Sequence, residues 1–279
     1  MDKLLIIDGS NLLFQMFFGM PSRIINKNGK AIHGTLGFVG ALLKIIKMTQ
    51  PTHLAVLFDG DCSQERININ TDYKANRPDY SQVAEDENPF SQISDIYNAL
   101  NYLKISHCES CGCETDDLIA SYALTFGDNM QIIISSFDSD FFQLITANVK
   151  ILRYRGDNTV ICDENYLKEK FNIEPIQYAD FKSLTGDNAD NIRGADKVGP
   201  KTASALINEF GSLENLLNNA EKIAKPAIKQ SICSSKERLI NNYKIIKLQN
   251  NCPLPFDLAV LRYTLPSVTT KEVLRAINL

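Results

Sequence analysis

Nine carboxylates stand out from the rest of the chain by type and spacing: Asp8, Asp59, Glu114, Asp116, Asp117, Asp138, Asp140, Asp187 and Asp190. Five separate segments supply them. In four of these segments the acid comes just after a short apolar run. No single one is diagnostic. An Asp-Gly after a strand is usually a turn, and acids at a helix start are favoured by the helix dipole. Convergence is the specific signal, because carboxylates gathered in one place repel and need cations to hold them. Hard oxygen donors with few histidines suit Mg2+ or Mn2+ rather than zinc. Two or three such ions can activate a water, stabilise a leaving oxygen and clamp a phosphodiester.

Two basic segments accompany the acids. Arg66, Tyr73, Lys74 and Arg77 lie in a polar stretch, 61–90, that lacks apolar periodicity. Lys74 and Arg77, three apart, would share one helical face. Alone, that pair is best read as a solvated surface helix. Beside a carboxylate cage the cations can steer a polyanion and neutralise a phosphate under attack, and Tyr73 can stack on a base. The second segment runs from Gly194 through Lys197 and Gly199-Pro200 to Lys201 and Thr202, ahead of an apolar helix. A Gly-Pro helix start presents free backbone N–H groups, which can bind a nucleic-acid phosphate without reading sequence. A plain helix–turn–helix corner is the alternative there.

The elements that must position these residues are legible in the apolar pattern. Residues 4–7, 54–58 and 131–135 read as buried parallel strands, and 105–108 as a short strand leading to the Glu114 group. A helix over 36–48 sets its apolar residues at helical spacing, and further helices are expected at about 90–103, 115–125, 163–171 and 175–184. A late strand pair is expected around 149–162. Strand–helix–strand order implies right-handed parallel crossovers. That puts Asp8, Asp59, the Glu114 group and Asp138/Asp140 at one sheet edge, where ligands of open α/β sheets bind. Asp187 and Asp190, three apart, would share a face of a helical turn. From 194 onward the chain reads as helical. The expected architecture is α/β, a mostly parallel central sheet flanked by helices.

Composition bounds the rest. With 279 residues and 44% hydrophobic residues, a sizeable core is expected. No apolar run reaches a membrane span and no signal segment is visible, so a cytoplasmic protein without membrane contact is expected. Seven cysteines, an odd number, argue against a complete disulfide framework. His107, Cys108, Cys111 and Cys113 lack a distant second ligand pair and read as free thiols near a strand end. His33 and His53 read as structural or exposed. No Gly-rich phosphate loop precedes a helix. The net charge of −4 counts mildly against a nucleic-acid binder, an objection that bound divalent ions would weaken.

Taken in order, Asp8-Gly9, Phe58-Asp59-Gly60, Tyr73-Lys74-x-x-Arg77, Gly112-x-Glu114-x-Asp116-Asp117, Asp138-x-Asp140 and Thr185-Gly186-Asp187-x-x-Asp190-Asn191 resemble the 5′–3′ exonuclease domain of bacterial DNA polymerase I and its stand-alone relatives, the flap endonucleases. The resemblance covers roughly residues 3–215. It implies a core over 1–180 in which 61–90 is a helical arch, and a helical subdomain over 181–279 with a helix–hairpin–helix at about 190–210. It implies a first ion among Asp8, Asp59, Glu114 and Asp116, and a second among Asp138, Asp140, Asp187 and Asp190. Lys74 and Arg77 would contact the scissile phosphate, and the hairpin would grip duplex DNA, with a potassium ion in some members.

The implied activity is divalent-metal-dependent hydrolysis of DNA bearing a 5′ end, flap or branch, by a monomer. The chain departs from the family at four places: Phe14-Gln15 for Tyr-Arg, Ser139 for Lys, Arg193 for Pro, and Lys197 for a hairpin Gly, which counts against the potassium ion. The lost cation at position 15 motivates an alternative, a DNA-binding module of the same fold with weak or no catalysis. A single-strand ribonuclease of the acid-cluster type is a third reading.

Overall fold

The computed structural model describes residues 2–60, 64–80, 82–264 and 267–279; Cys62 lies outside them. The chain opens with strand β1 (Lys3–Asp8), every residue of which from Leu4 on is buried. Helix α1 (Gly9–Gly19) starts at once, with Asp8 as its cap: the carboxylate accepts from Asn11 N–H. Helix α2 (His33–Thr49) buries Phe38, Val39, Leu42, Ile45 and Ile46 and leaves Lys44 and Lys47 outside. It stops where Gln50 turns left-handed ahead of Pro51. Strand β2 (His53–Phe58) is wholly buried.

After the short helix α3 (Gln64–Ile69) come turns, then α4 (Ile93–Tyr102), β3 (Ser106–Glu109), α5 (Thr115–Phe126), β4 (Gln131–Ser135), β5 (Val149–Arg153) and β6 (Val160–Cys162). The six strands form one sheet in the order β3-β2-β1-β4-β5-β6, parallel except for β6. Both faces are covered. Leu4, Ile6, Ala55, Leu57, Ile132 and Ile134 belong to one core, and Leu5, Ile7, Leu54, Val56 and Phe58 to the other. This two-sided burial is why the strands read as continuous apolar runs rather than alternating ones.

Helices α6 (Glu164–Phe171) and α7 (Tyr178–Thr185) lead to a two-stranded hairpin, β7 (Gly186–Asp187) and β8 (Ile192–Arg193). The helical end of the chain follows: α8 (Pro200–Phe210), α9 (Leu213–Asn218), α10 (Pro226–Ser234), α11 (Lys236–Ile246) and α12 (Thr270–Ala276). Among the described residues no helix is long and apolar enough to cross a membrane.

Two expectations are corrected. Among its described residues the excursion over 61–90 contains α-helix only at Gln64–Ile69; a 3-10 helix begins at Pro89, and the rest is turns and irregular backbone. Lys74 and Arg77 therefore share no helical face. Lys74 sits in the left-handed region (φ 56°), and its N–H donates to the Asp190 carbonyl. Pro78, Pro89 and the absence of an apolar stripe deny this stretch the packing that sustains a helix. Asp187 and Asp190 likewise sit on the β7–β8 hairpin rather than a helical turn.

Gly194 closes that hairpin against α7. A Cβ at 194 would collide with the Leu184 carbonyl and the Thr185–Gly186 backbone, so its place in the chain is explained by close packing. Gly194→Ala is expected to cost about 1–3 kcal/mol of stability, seen as a lower melting temperature. Gly19, where an added Cβ would meet nothing within 4 Å among the described residues, should tolerate the same change.

Candidate metal centre and active site

The strand order reverses at β1. The chain builds β2 and β3 on one side of it and returns to place β4 on the other. Ligands of open α/β sheets bind at such a switch point, beyond the carboxyl ends of the strands. Asp8 ends β1. Its Oδ1 accepts from Asn11 N–H (3.0 Å) and its Oδ2 from Ser136 Oγ (2.7 Å). Ser136 follows β4, and its Oγ also accepts from Asp138 N–H (3.0 Å). One hydroxyl thus braces two acids from neighbouring strands. Asp59 follows β2, with its N–H on Ser10 Oγ (2.8 Å). Asp116 lies in the first turn of α5, whose start is fastened to β2 by Thr115 Oγ1 donating to the Phe58 carbonyl (2.8 Å).

Asp8, Asp59, Asp116 and Asp138 line one cavity of about 430 Å3, together with Lys74, Arg77, Phe14, Tyr80 and Phe90. Burial, with the facing Asp59 charge, pushes the Asp8 carboxyl up to about 7, despite the Asn11 and Ser136 hydrogen bonds. Burial and the Asp138 charge push Asp116 well above the ordinary carboxylate value, partly offset by Lys74.

A second acid group adjoins the first. Asp140, Asp187 and Asp190 bring carboxylate oxygens within 4.8 Å of one another. Asp138 links the groups: its Oδ1 accepts from Asp140 N–H (2.8 Å), and its charge raises Asp8, Asp116 and Asp140 alike. Lys182, buried on α7, sits in the second group, its ammonium on both Asp140 and Asp187. Burial alone would push this ammonium down, but Asp140, Asp138 and Asp187 outweigh it and hold Lys182 charged. Asp140 itself is raised to about 7 by burial, against the pull of Lys182.

Not every predicted residue is where its expected role needs it. Asp117 was expected as a metal ligand, but it is buried and clasped by Arg66, Nη1 to Oδ2 at 2.9 Å and Nη2 to Oδ1 at 2.8 Å. The Gln249 N–H adds a further bond to Oδ1 (2.9 Å). Arg66 was expected on a DNA surface, yet it is 5% exposed. Its Nε donates to the Ile245 carbonyl and its Nη1 lies 2.8 Å from Glu114 Oε2. Tyr73, expected to stack on a base, is buried, and its hydroxyl donates to Glu114 Oε2 (3.3 Å). These polar groups are internal because each satisfies another buried one. Glu114 Oε2 also meets Lys74 Nζ (3.0 Å), while Oε1 is buried with no partner among the described residues.

The donor set fits divalent cations. Carboxylates raised by burial and by one another's charge, and a buried Glu114 oxygen without a partner among the described residues, are what a hard ion would relieve. Asp8, Asp59, Asp116 and Asp138 surround one such place, and Asp140, Asp187 and Asp190 another.

The family model of the 5′-3′ exonuclease N-terminal resolvase-like domain matches residues 3–172, and that of the 5′-3′ exonuclease C-terminal SAM fold matches 173–269. The chain belongs to the 5′-3′ exonuclease family. It is 32% identical to the 5′-3′ exonuclease of Aquifex aeolicus over all of this chain and 96% of that protein. It is 30% identical to DNA polymerase I of Rhizobium leguminosarum, of which it covers 26%. The fold is similar to T5 5′-exonuclease solved with divalent zinc ions bound (TM-score 0.72, 24% identity, 88% of this chain and 89% of that one). It is also similar to the catalytic core of Rad2 in complex with DNA substrate (TM-score 0.59, 18% identity, 99% of this chain and 85% of that one).

Within this exonuclease fold, three departures acquire a structural account. Gln15 donates its amide to the Tyr154 carbonyl (2.6 Å). Ser139 Oγ lies 3.2 Å from Lys182 Nζ, so the cation beside the paired acids comes from α7 and not from position 139. Lys197 adopts φ 64° and preserves the left-handed turn, at a strain of about 1–2 kcal/mol relative to Gly. Lys197, Gly199 and Lys201 are exposed, and Thr202 is half-buried at the start of α8. Sequence reasoning missed Lys182; a lysine among Phe181, Ser183 and Leu184, five residues before Asp187, was the available signal. Cys108 and Cys111 carry free thiols.

Two predictions follow from the charges. Asp117→Ala leaves the buried Arg66 guanidinium half paired and should cost about 3–5 kcal/mol, read by denaturant unfolding. Asp116→Ala removes a repelling, half-buried acid and should not destabilise the metal-free protein; equal losses in both variants would refute the distinction. The second prediction concerns pH. Asp8 and Asp140 have folded values near 7 against an ordinary 3.8, so between those values the folded chain binds more protons than the unfolded one. These groups therefore make stability fall as pH rises through that window. The metal-free melting temperature should drop from pH 5.5 to pH 8, less so in Asp8→Asn, and Mg2+ should raise it more at pH 8. A metal-free profile unchanged by Asp8→Asn would contradict this.

Proposed function

We propose that this exonuclease-family protein is a Mg2+- or Mn2+-dependent, structure-specific 5′ nuclease acting as a monomer on DNA with a 5′ end, flap or branch. The observation that carries the reading is one cavity in which four carboxylates face two cations, Lys74 and Arg77. Asp8, Asp59, Asp116 and Asp138 would hold one ion, with the unpaired oxygen of Glu114 nearby in the chain. Asp140, Asp187 and Asp190 would hold a second, sharing their site with the Lys182 ammonium. Bound there, the ions supply charge neutralisation at the phosphodiester and an activated water.

The chain's own groups do the remainder. Lys74 is held between Glu114 Oε2 and the Tyr73 ring, 4.7 Å from its centroid, and Arg77 is held by Asp190 Oδ1 (3.0 Å). Both cations are therefore oriented before substrate arrives, which is the condition for stabilising charge that develops on a phosphate. Arg66 and Tyr73 fix the segment that carries them and touch no substrate. Phe14, Tyr80 and Phe90 pack edge to face, with ring centroids 5.4–5.9 Å apart, and tie the excursion to α1. The exposed Lys197 and Lys201 flank the start of α8, a suitable grip on duplex phosphates. The 1–180 core would then carry the first ion place, Asp187 and Asp190 of the 181–279 subdomain would complete the second, and that subdomain would also make the duplex contact.

Asp138→Ala or Asp116→Ala should abolish cleavage of a 5′-flap DNA with either Mg2+ or Mn2+. Lys74→Ala should lower kcat by about 10²–10³-fold, the loss seen on removing one preorganised donor. Full activity in the Asp138 variant would sink the metal assignment. Tight binding of flap DNA by the unaltered protein without turnover in either ion would instead favour a DNA-binding module.

A further inference from the structure

A second cavity, of about 590 Å3, opens beside the acid cavity and shares Asn11 and Phe14 with it. Its walls include Gln15, Phe137, Tyr154 and Arg155, and among the described residues Arg155 is the one charged residue lining it. The two cavities are also joined through the backbone. Phe137 lies between Ser136 and Asp138, and its N–H donates to Asn11 Oδ1 (3.0 Å). The Arg155 guanidinium stands over the Phe137 ring, 5.4 Å from its centroid. It is exposed, and among the described residues no carboxylate lies within ion-pair distance of it. Its neighbour Arg153 is committed inward, donating to the Phe137 carbonyl (2.9 Å) and packing on Phe142.

The loop that presents Arg155 is braced on both sides. Arg155 N–H donates to Thr159 Oγ1 (3.0 Å), and its carbonyl accepts from Asn158 N–H (3.0 Å). On the α1 side, the Gln15 amide holds the Tyr154 carbonyl at 2.6 Å. An unpaired guanidinium, aligned on an aromatic face, keeps its planar fork available for an anion at reduced entropic cost.

We infer that Arg155 binds a backbone phosphate of the DNA strand that passes through the acid cavity, one step beyond the phosphate under attack, and that Gln15 is the residue that positions it. The inference rests on the nuclease reading above, since that reading puts a polyanionic strand in the first cavity.

The test is a titration of fluorescein-labelled 5′-flap DNA with Ca2+ in place of Mg2+, at several salt concentrations. Arg155→Ala should raise Kd about tenfold, or about 1.4 kcal/mol. It should also flatten the dependence of log K on log salt by about 0.7 for a single-stranded contact or about 0.9 for a duplex one. Arg155→Lys should restore the salt slope. Gln15→Ala should weaken binding in the same direction, and its effect should largely vanish in the Arg155→Ala background. Kd and salt slope unchanged in Arg155→Ala, in protein with an unaltered melting curve, would overturn the phosphate contact. Full additivity with Gln15→Ala would overturn the positioning role. If the unaltered protein binds this DNA but fails to cleave it with Mg2+ or Mn2+, the nuclease reading falls while the titration still decides on Arg155.

Discussion

Carboxylates that repel one another at the reversal point of a parallel sheet are the constraint on which the rest of this structure depends. The sheet order forces Asp8 and the segment after β4 into adjacency, and the β2 and α5 termini bring Asp59 and Asp116 to the same cavity. Desolvation then works against the Asp8 and Asp116 charges. The surrounding polar groups answer it locally: Ser136 between Asp8 and Asp138, the Asn11 N–H on Asp8, Lys182 between Asp140 and Asp187, and Arg77 on Asp190. Each is short-range and directional, so the acids are fixed in place without being neutralised as a group.

Arg66 is the internal counterpart of that arrangement. It joins α3 to Glu114 and Asp117 on α5 and to the Ile245 carbonyl on α11. A buried ion pair is a weak argument for stability, since desolvating both partners offsets the Coulomb gain. Its value here is geometric. The polar excursion has few apolar contacts of its own, with Tyr73 and Ile67 packed against Ile245 and Ile246. The bidentate Arg66–Asp117 pair therefore fixes where the excursion starts. Lys74, farther along, meets Glu114 Oε2 at the wall of the acid cavity.

The sheet was legible because its strands are buried on two faces, so their apolar runs are continuous and each ends at a polar residue that must leave the core. The acids that follow those runs converge for the same reason. What sequence spacing could not convey was direction. Asp116 and Asp117 are neighbours, yet consecutive residues on a helix point about 100° apart, so one faces the cavity and the other faces Arg66. Arg66 and Tyr73 look like surface residues in a polar stretch. Only the buried carboxylates of Glu114 and Asp117, some fifty residues away, explain why they are inside. The helical reading of Lys74 and Arg77 failed where a left-handed residue, with its N–H on the Asp190 carbonyl, replaced a helical turn. Their proximity to the acids survived, because that same hydrogen bond ties the turn to the β7–β8 hairpin.

The two acid groups differ in how their charge is balanced, and this difference matters more than their count. The second group encloses an ammonium from α7, so it is partly compensated before any ion arrives. The first group has no internal cation among its four acids; Lys74 approaches from Glu114's side and Arg77 from Asp190's. A divalent ion entering the first place meets carboxylates whose charge Lys74 and Arg77 offset from the cavity wall. One entering the second competes with, or displaces, a buried lysine that its neighbours hold charged. Asp138 touches both balances, because its charge raises Asp8, Asp116 and Asp140 together. A change in charge at Asp138 is therefore felt at both places, whereas a change at Lys182 acts first on Asp140 and Asp187.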